Sequence, residues 1–284
     1  MVNVMWIRVF KKVSSGERGI DNGAKASFHH RASIIMAYLI LVAGAELVTA
    51  SGAKYDIAFA KYGIAFHALI LFALLIHSSL TTDDEFSKLL MVLILAPLIR
   101  ILSLSMPLAH FSYISWFALI SIPVYIAIFT CMYIQHLKPR DVALALPELK
   151  HLPIEIATII FAFPFGILEY HVLKPDIIVE LSFEALLAPA LIMIVCTGFL
   201  EELAFRGLMQ YHATRTMGFS GIIFISALFG ALHIGNLSFI DVLLGGSVGF
   251  IYSVVVRKTG SIYGVSISHG IINIVLFLIA PHYF

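Results

Sequence analysis

Nine apolar runs limit what this chain can become. They cover residues 32–50, 62–79, 89–106, 112–134, 154–173, 183–205, 218–235, 239–256 and 261–280. A helix crosses the hydrocarbon core of a bilayer in about 20 mostly apolar residues. No water is available there to bond the backbone, so each run must satisfy its own amides as an α-helix. Charged residues make up 12% of the 284, about half the roughly 25% of a soluble domain. The expected fold is therefore all-α, a polytopic transmembrane helix bundle of eight or nine spans. The segments TTDDEFSK, QHLKPRD, KPD, RTMG and RKTG punctuate the runs. Pro97, Pro123, Pro164 and Pro189 fall inside them, where kinks are tolerated.

Lysine and arginine set the orientation, because cytoplasmic loops carry the excess. With the N-terminus inside, thirteen basic residues fall on the cytoplasmic side, among them Lys88, Lys138, Arg140, Lys150, Arg215, Arg257 and Lys258. Only Lys54, Lys61 and Lys174 fall outside. The chain is expected in the cell membrane as a multi-pass integral protein with a cytoplasmic N-terminus. A formal net charge of +1 argues against a nucleic-acid partner, which calls for a concentrated basic face. Cys131 and Cys196 both lie in apolar runs and imply neither a disulfide framework nor a C-x-x-C metal site. The first thirty residues lack the apolar core of a signal peptide, and VMWIRVFKKV has the pattern of a short amphipathic helix on the membrane surface.

Charges inside the runs need a partner or a task, since each costs about 2.5–3.5 kcal/mol at the bilayer centre on insertion scales. They are Glu46, Arg100, Glu169, Glu201, Glu202, Arg206 and Asp241, joined by His233 and His269. Glu46, Glu169 and Asp241 lie near run ends and are expected to reach headgroups or water. Arg100 is expected in a buried ion pair with a carboxylate of a neighbouring helix. Glu202 and Arg206 stand four apart, one helical turn, and can neutralise each other. Glu201 faces about 100° away and lacks that partner. Phe229 and His233 are also four apart, as are His269 and Asn273. A lone histidine in an apolar helix is ordinarily a satisfied core residue; two histidines with an unpaired glutamate suggest chemistry. At 1.5 Å per residue His269 lies about 13 Å, and His233 about 22 Å, from the cytoplasmic ends of their helices. Glu201 reaches a similar depth, about 20 Å, only if its helix continues through GLMQYHATR to Arg215.

A glutamate and a histidine sharing a water can deprotonate it as it attacks a peptide carbonyl. His269 and the Asn273 amide would then hold the oxyanion. Alternatively Glu201, His233 and His269 form a Zn²⁺ set with an open water position. No H-E-x-x-H is present, which excludes zincin-type ligation.

Taken together, E-E-x-x-x-R at Glu201, Glu202 and Arg206, F-x-x-x-H at Phe229 and His233, and H-x-x-x-N at His269 and Asn273 resemble the three signature motifs of the CPBP intramembrane proteases. That family includes the CAAX prenyl endopeptidase, bacteriocin-processing and immunity proteins (the Abi family) and lysostaphin-resistance-like proteins. The resemblance covers Leu186–Leu278, and TGSIYGVSISHG is similar to the family's approach to its last motif. It implies an intramembrane catalytic cavity in which Glu201 and His233 activate water and His269 and Asn273 stabilise the oxyanion. Glu202, Arg206 and Phe229 would support them. It also divides the chain into an interfacial segment 1–31, variable transmembrane helices 32–182 and a catalytic core 183–284. The implied metallo- or metal-free glutamate endopeptidase would act on a membrane-associated protein or peptide. Eukaryotic members cut after an isoprenylated cysteine, whereas many prokaryotic relatives act where no such substrate exists.

Three rivals remain. A non-catalytic scaffold or immunity-type protein of the same family would treat Glu201 as one more paired charge. A proton-coupled transporter predicts related halves, and no internal repeat is visible. A rhomboid-like serine protease would draw on Gly264-Val265-Ser266, but Ser266 and His269 share one helix and the triplet lacks its strand–turn context.

Overall fold

The computed structural model describes residues 22–55, 57–105 and 112–284. The VMWIRVFKKV segment lies outside them, as does most of the stretch read for a signal peptide. Among the described residues there is no strand, and nine helices are long and apolar enough to cross a membrane. Two units are distinguished, Met1–Ala37 and Tyr38–Phe284. The described part of the first is the leading portion of helix α1 (Asn22–Tyr55).

The second unit continues with α2 (Ile57–Leu80). Next come α3 (Asp84–Leu93) and α4 (Leu95–Ser105), which together make one span, and α5 (Tyr113–Ile134). Asp83 and Ser112 cap α3 and α5 by accepting backbone N–H bonds from Phe86 and Ser115, replacing partners that a helix start lacks. Helix α6 covers Leu152–Leu173. Helix α7 runs unbroken over Phe183–Met217, 35 residues, or about 52 Å at 1.5 Å per residue. Gly218 then turns the chain at φ 62° and ψ −135°, a region open essentially to glycine alone. It leads into α8 (Phe219–Ala231) and a 3₁₀ turn, Leu232–Asn236. Helix α9 (Phe239–Thr259) is capped by Ser238. Helix α10 (Tyr263–Ile274) widens into a π turn at Val275–Ile279.

Each span lies within a few residues of its apolar run except α7, whose run stops at 205. The extension beyond 205 is polar but not exposed to lipid: Gln210, His212 and Thr216 are buried, and Gln210 Nε2 donates to Ser253 O at 2.9 Å. The continuation to Arg215 that Glu201's depth required is present. Large side chains such as Leu69, Phe72, Ile126, Ile160, Leu187 and Leu191 point outward, as lipid-facing positions do. Glu46, His67, Glu202, Arg206 and Asp241 point inward. This is an integral membrane protein. Helix α10 packs against α6 and the first half of α7, α8 packs on α9, and the last turns of α7 meet α8 and α3.

Candidate active site

The two adjacent glutamates occupy the only α-helical stretch between two π turns of α7, Met193–Phe199 and Leu203–Met209. Such wide turns often accompany functional residues because they re-aim side chains within a helix. The Glu202 side chain is wholly enclosed, where a lone carboxylate would be costly. Two donors converge on its Oε1: Arg206 Nη1 at 2.9 Å and His269 Nδ1 at 2.8 Å. Arg206 is equally enclosed, with its guanidinium carbon 4.1 Å from the centre of the Phe229 ring. The aromatic face thus supplies the second contact that a desolvated cation requires. Glu201 is different. Its side chain keeps 32% of its accessible surface, and its Oε2 lies 3.9 Å from His269 Nε2.

A backbone contact sets α10 against α7. A Cβ on Gly198 would stand 2.6 Å from Gly270 N and 2.6 Å from Ser266 O, and one on Gly270 would stand 2.7 Å from Ile194 Cα. Only small residues allow membrane helices to approach so closely. The crossing brings His269, next to Gly270, onto Glu202. Ser268 locks the register from the other side by donating to Thr158 O at 2.7 Å and meeting Tyr252 Oη at 2.6 Å. One turn on, Asn273 Nδ2 donates to Thr197 Oγ1 at 2.8 Å, while the Thr197 hydroxyl donates to Met193 O. The amide is therefore oriented with one N–H spent and one left over.

His233 stands in the 3₁₀ turn after α8. Its Nδ1 faces Phe229 O at 3.0 Å; a carbonyl can only accept, so Nδ1 carries the proton and Nε2 the lone pair. The ring lies on Gly245, where an added Cβ would come within 2.8 Å of Nδ1. A cavity of about 280 Å³ opens among α4–α8 and α10. It is lined by Glu201, His233, His269 and Asn273, together with Glu169 and Arg100. The three motifs thus meet around one cavity.

Several residues sit elsewhere than the sequence suggests. Glu46, Glu169 and Asp241, expected at headgroups or in water, are buried at 0%, 8% and 0% exposure. Their positions near run ends are covered by neighbouring helices. Glu46 is the carboxylate that Arg100 was expected to find: Nη2 donates to Oε2 at 2.7 Å and Nε to Oε1, with His67 Nε2 3.2 Å from Oε1. The Zn²⁺ set Glu201, His233 and His269 is not the one the fold gathers. Among the described residues, the group whose donor atoms all lie within 4.8 Å of one another is Glu169, His233 and Asp241. Sequence reasoning also missed Thr197, whose only signal was a hydroxyl one turn before Glu201 in an apolar run.

Comparison with known proteins bears on this part of the chain. Residues 183–275 match a family model described as Rce1-like, Type II CAAX prenyl endopeptidase Rce1-like. The matched stretch contains α7 to α10 almost entirely and all three motifs; the family is one of membrane proteases. No curated protein and no solved structure gives a match.

Proposed function

We propose that the protein is an intramembrane endopeptidase that hydrolyses a peptide bond of a membrane-associated protein or peptide, with its N-terminus in the cytoplasm. The observation that carries this reading is that Glu201, His233, His269 and Asn273 line one cavity. The family match over 183–275 and the distribution of lysine and arginine support it.

In this reading a water in the cavity lies between Glu201 and His233 Nε2. Glu201 takes its proton as the oxygen attacks the scissile carbonyl carbon. The carbonyl oxygen becomes an oxyanion and accepts from the remaining Asn273 N–H and from His269 Nε2–H. Carboxylates face both ring nitrogens of His269, an arrangement that accommodates a proton on each. Each donor of this kind is worth about 10²–10³ in kcat. The C–N bond then breaks, and the proton held by Glu201 passes to the leaving amine. Glu202, held by Arg206, orients His269; Phe229 supports Arg206 from the other face. The Glu201–His233–His269 donors do not close as a ligand group, so no step runs through a metal there.

The scaffold alternative regards Glu201 as a paired structural charge. The buried pair is instead Glu202 with Arg206, while among the described residues Glu201 makes no hydrogen bond, and it opens onto the cavity. The test is cleavage by purified wild type, Glu201→Ala and His233→Ala, with helical content and extraction from membranes as folding controls. Both variants are expected to be inserted, folded and inactive; a Glu201→Ala protein cleaving at the parent rate refutes the assignment. Membrane proteomes of deleted and Glu201→Ala cells, compared with the parent, identify the substrate.

A further inference from the structure

The geometry points to a divalent-cation site formed by Glu169 of α6, His233 of the 3₁₀ turn and Asp241 in the first turn of α9. The donor atoms of the three lie within 4.8 Å of one another. A triangle with that edge has its centre about 2.8 Å from each corner, within about 0.7 Å of zinc–oxygen and zinc–nitrogen bond lengths. Small side-chain rotations close the gap.

Two further observations separate this group from an ordinary acidic cluster. Asp241 is fully buried, and among the described residues its Oδ1 has no hydrogen-bond partner. Among the described residues Glu169, 8% exposed, makes no hydrogen bond and neither carboxylate belongs to an ion pair. Two buried carboxylates facing each other without a counter-charge are strongly disfavoured. A divalent cation supplies that charge, since two carboxylates and a neutral imidazole sum to −2. The surroundings already have the form of an outer shell. His233 Nδ1–H donates to Phe229 O at 3.0 Å, leaving Nε2 as the ligand atom, and Asn236 Nδ2 donates to Asp241 Oδ2 at 2.8 Å. Metal-bound histidines and carboxylates are typically held in this way. One imidazole with two carboxylates suits Zn²⁺, Co²⁺ or Mn²⁺ and not soft Cu⁺. Glu169 and His233 line the cavity, which provides an entry path and an open coordination position. His233 Nε2 has a single lone pair, so it holds either a cation or a proton from water.

The site shares His233 with the peptidase reading but does not rest on it, because its charge comes from Glu169 and Asp241 and neither Glu201 nor His269 is among its ligands. The test is a Co²⁺ titration of full-length protein, purified in detergent and stripped with chelator, followed by visible ligand-field absorption and by metal analysis. Wild type and Glu201→Ala are expected to take up one equivalent per chain, displaceable by Zn²⁺. Glu169→Gln and Asp241→Asn, which keep shape and remove charge, are expected to bind more than tenfold more weakly, because loss of even an outer-shell partner costs about 10–100-fold. Folded wild type that takes up no Co²⁺ overturns the proposal, as does unchanged affinity in both charge-removing variants. If those variants fail to fold, the wild-type and Glu201→Ala titrations decide. A protein that binds cobalt but never cleaves refutes the peptidase alone; one that cleaves without taking up cobalt refutes this site alone.

Discussion

The buried pair of Glu202 and Arg206 allows stability to be separated from activity. Both side chains are at 0% exposure and are joined at 2.9 Å. Among the described residues Arg206 Nε and Nη2 have no hydrogen-bond partner, so the guanidinium depends on Glu202 and the Phe229 face. Arg206→Met would leave the Glu202 carboxylate with His269 alone, and Glu202→Leu would leave a desolvated cation. Removing one partner of a buried pair costs about 3–5 kcal/mol, whereas replacing both with apolar residues is about neutral. At about 2 °C per kcal/mol for a chain of this size, each single variant should melt about 6–10 °C lower. The double variant Glu202→Leu/Arg206→Met should recover most of that loss. It should nevertheless remain inactive, because His269 Nδ1 has lost its acceptor. Melting of helical ellipticity in detergent, run beside the cleavage assay, reads both quantities. A single variant melting with wild type, or a double variant falling by the sum of the singles, refutes the argument.

Two further outcomes follow from contacts within the site. Gly270→Ala places a methyl 2.7 Å from Ile194 Cα and must push α7 and α10 apart; a displacement of about 1 Å costs about 10²-fold in turnover, so an inserted variant cleaving at the wild-type rate counts against the crossing. Thr197→Val removes the acceptor of the Asn273 amide and should lower kcat about tenfold or more with KM nearly unchanged, with Thr197→Ser restoring it; a change in KM alone would assign Asn273 to binding.

The spans and the three motifs could be read in advance because both are local: one is a run of about 20 residues, the other a spacing of one turn. What escaped is what only packing decides. Hydropathy stopped α7 at 205 because it scores transfer to lipid, while Gln210 and Thr216 are transferred to protein. Distance to a run end treats Glu46, Glu169 and Asp241 singly, yet their surroundings are set by helices far away in sequence; Arg100 is 54 residues from Glu46. The pairing of Glu202 with Arg206 was legible from spacing alone. Its second partner, His269, is 67 residues away, so Glu202's hold on the histidine ring was not. Three intramembrane carboxylates without an obvious basic partner were the available signal for the Glu169–Asp241 group.

The two wide turns of α7 have a further consequence for its periodicity. Each holds one residue more than a regular helix of the same rise, and one residue corresponds to about 100° of rotation. The residues before 193 are therefore out of phase with those after 209 by about 200°, and no single helical wheel describes the whole rod. Deleting one residue from either turn would tighten it into an ordinary helix without breaking the rod. The anchor ahead of it would keep its facing, whereas the same deletion from a regular stretch would rotate the anchor by about 100° and change which of its sides looks at lipid.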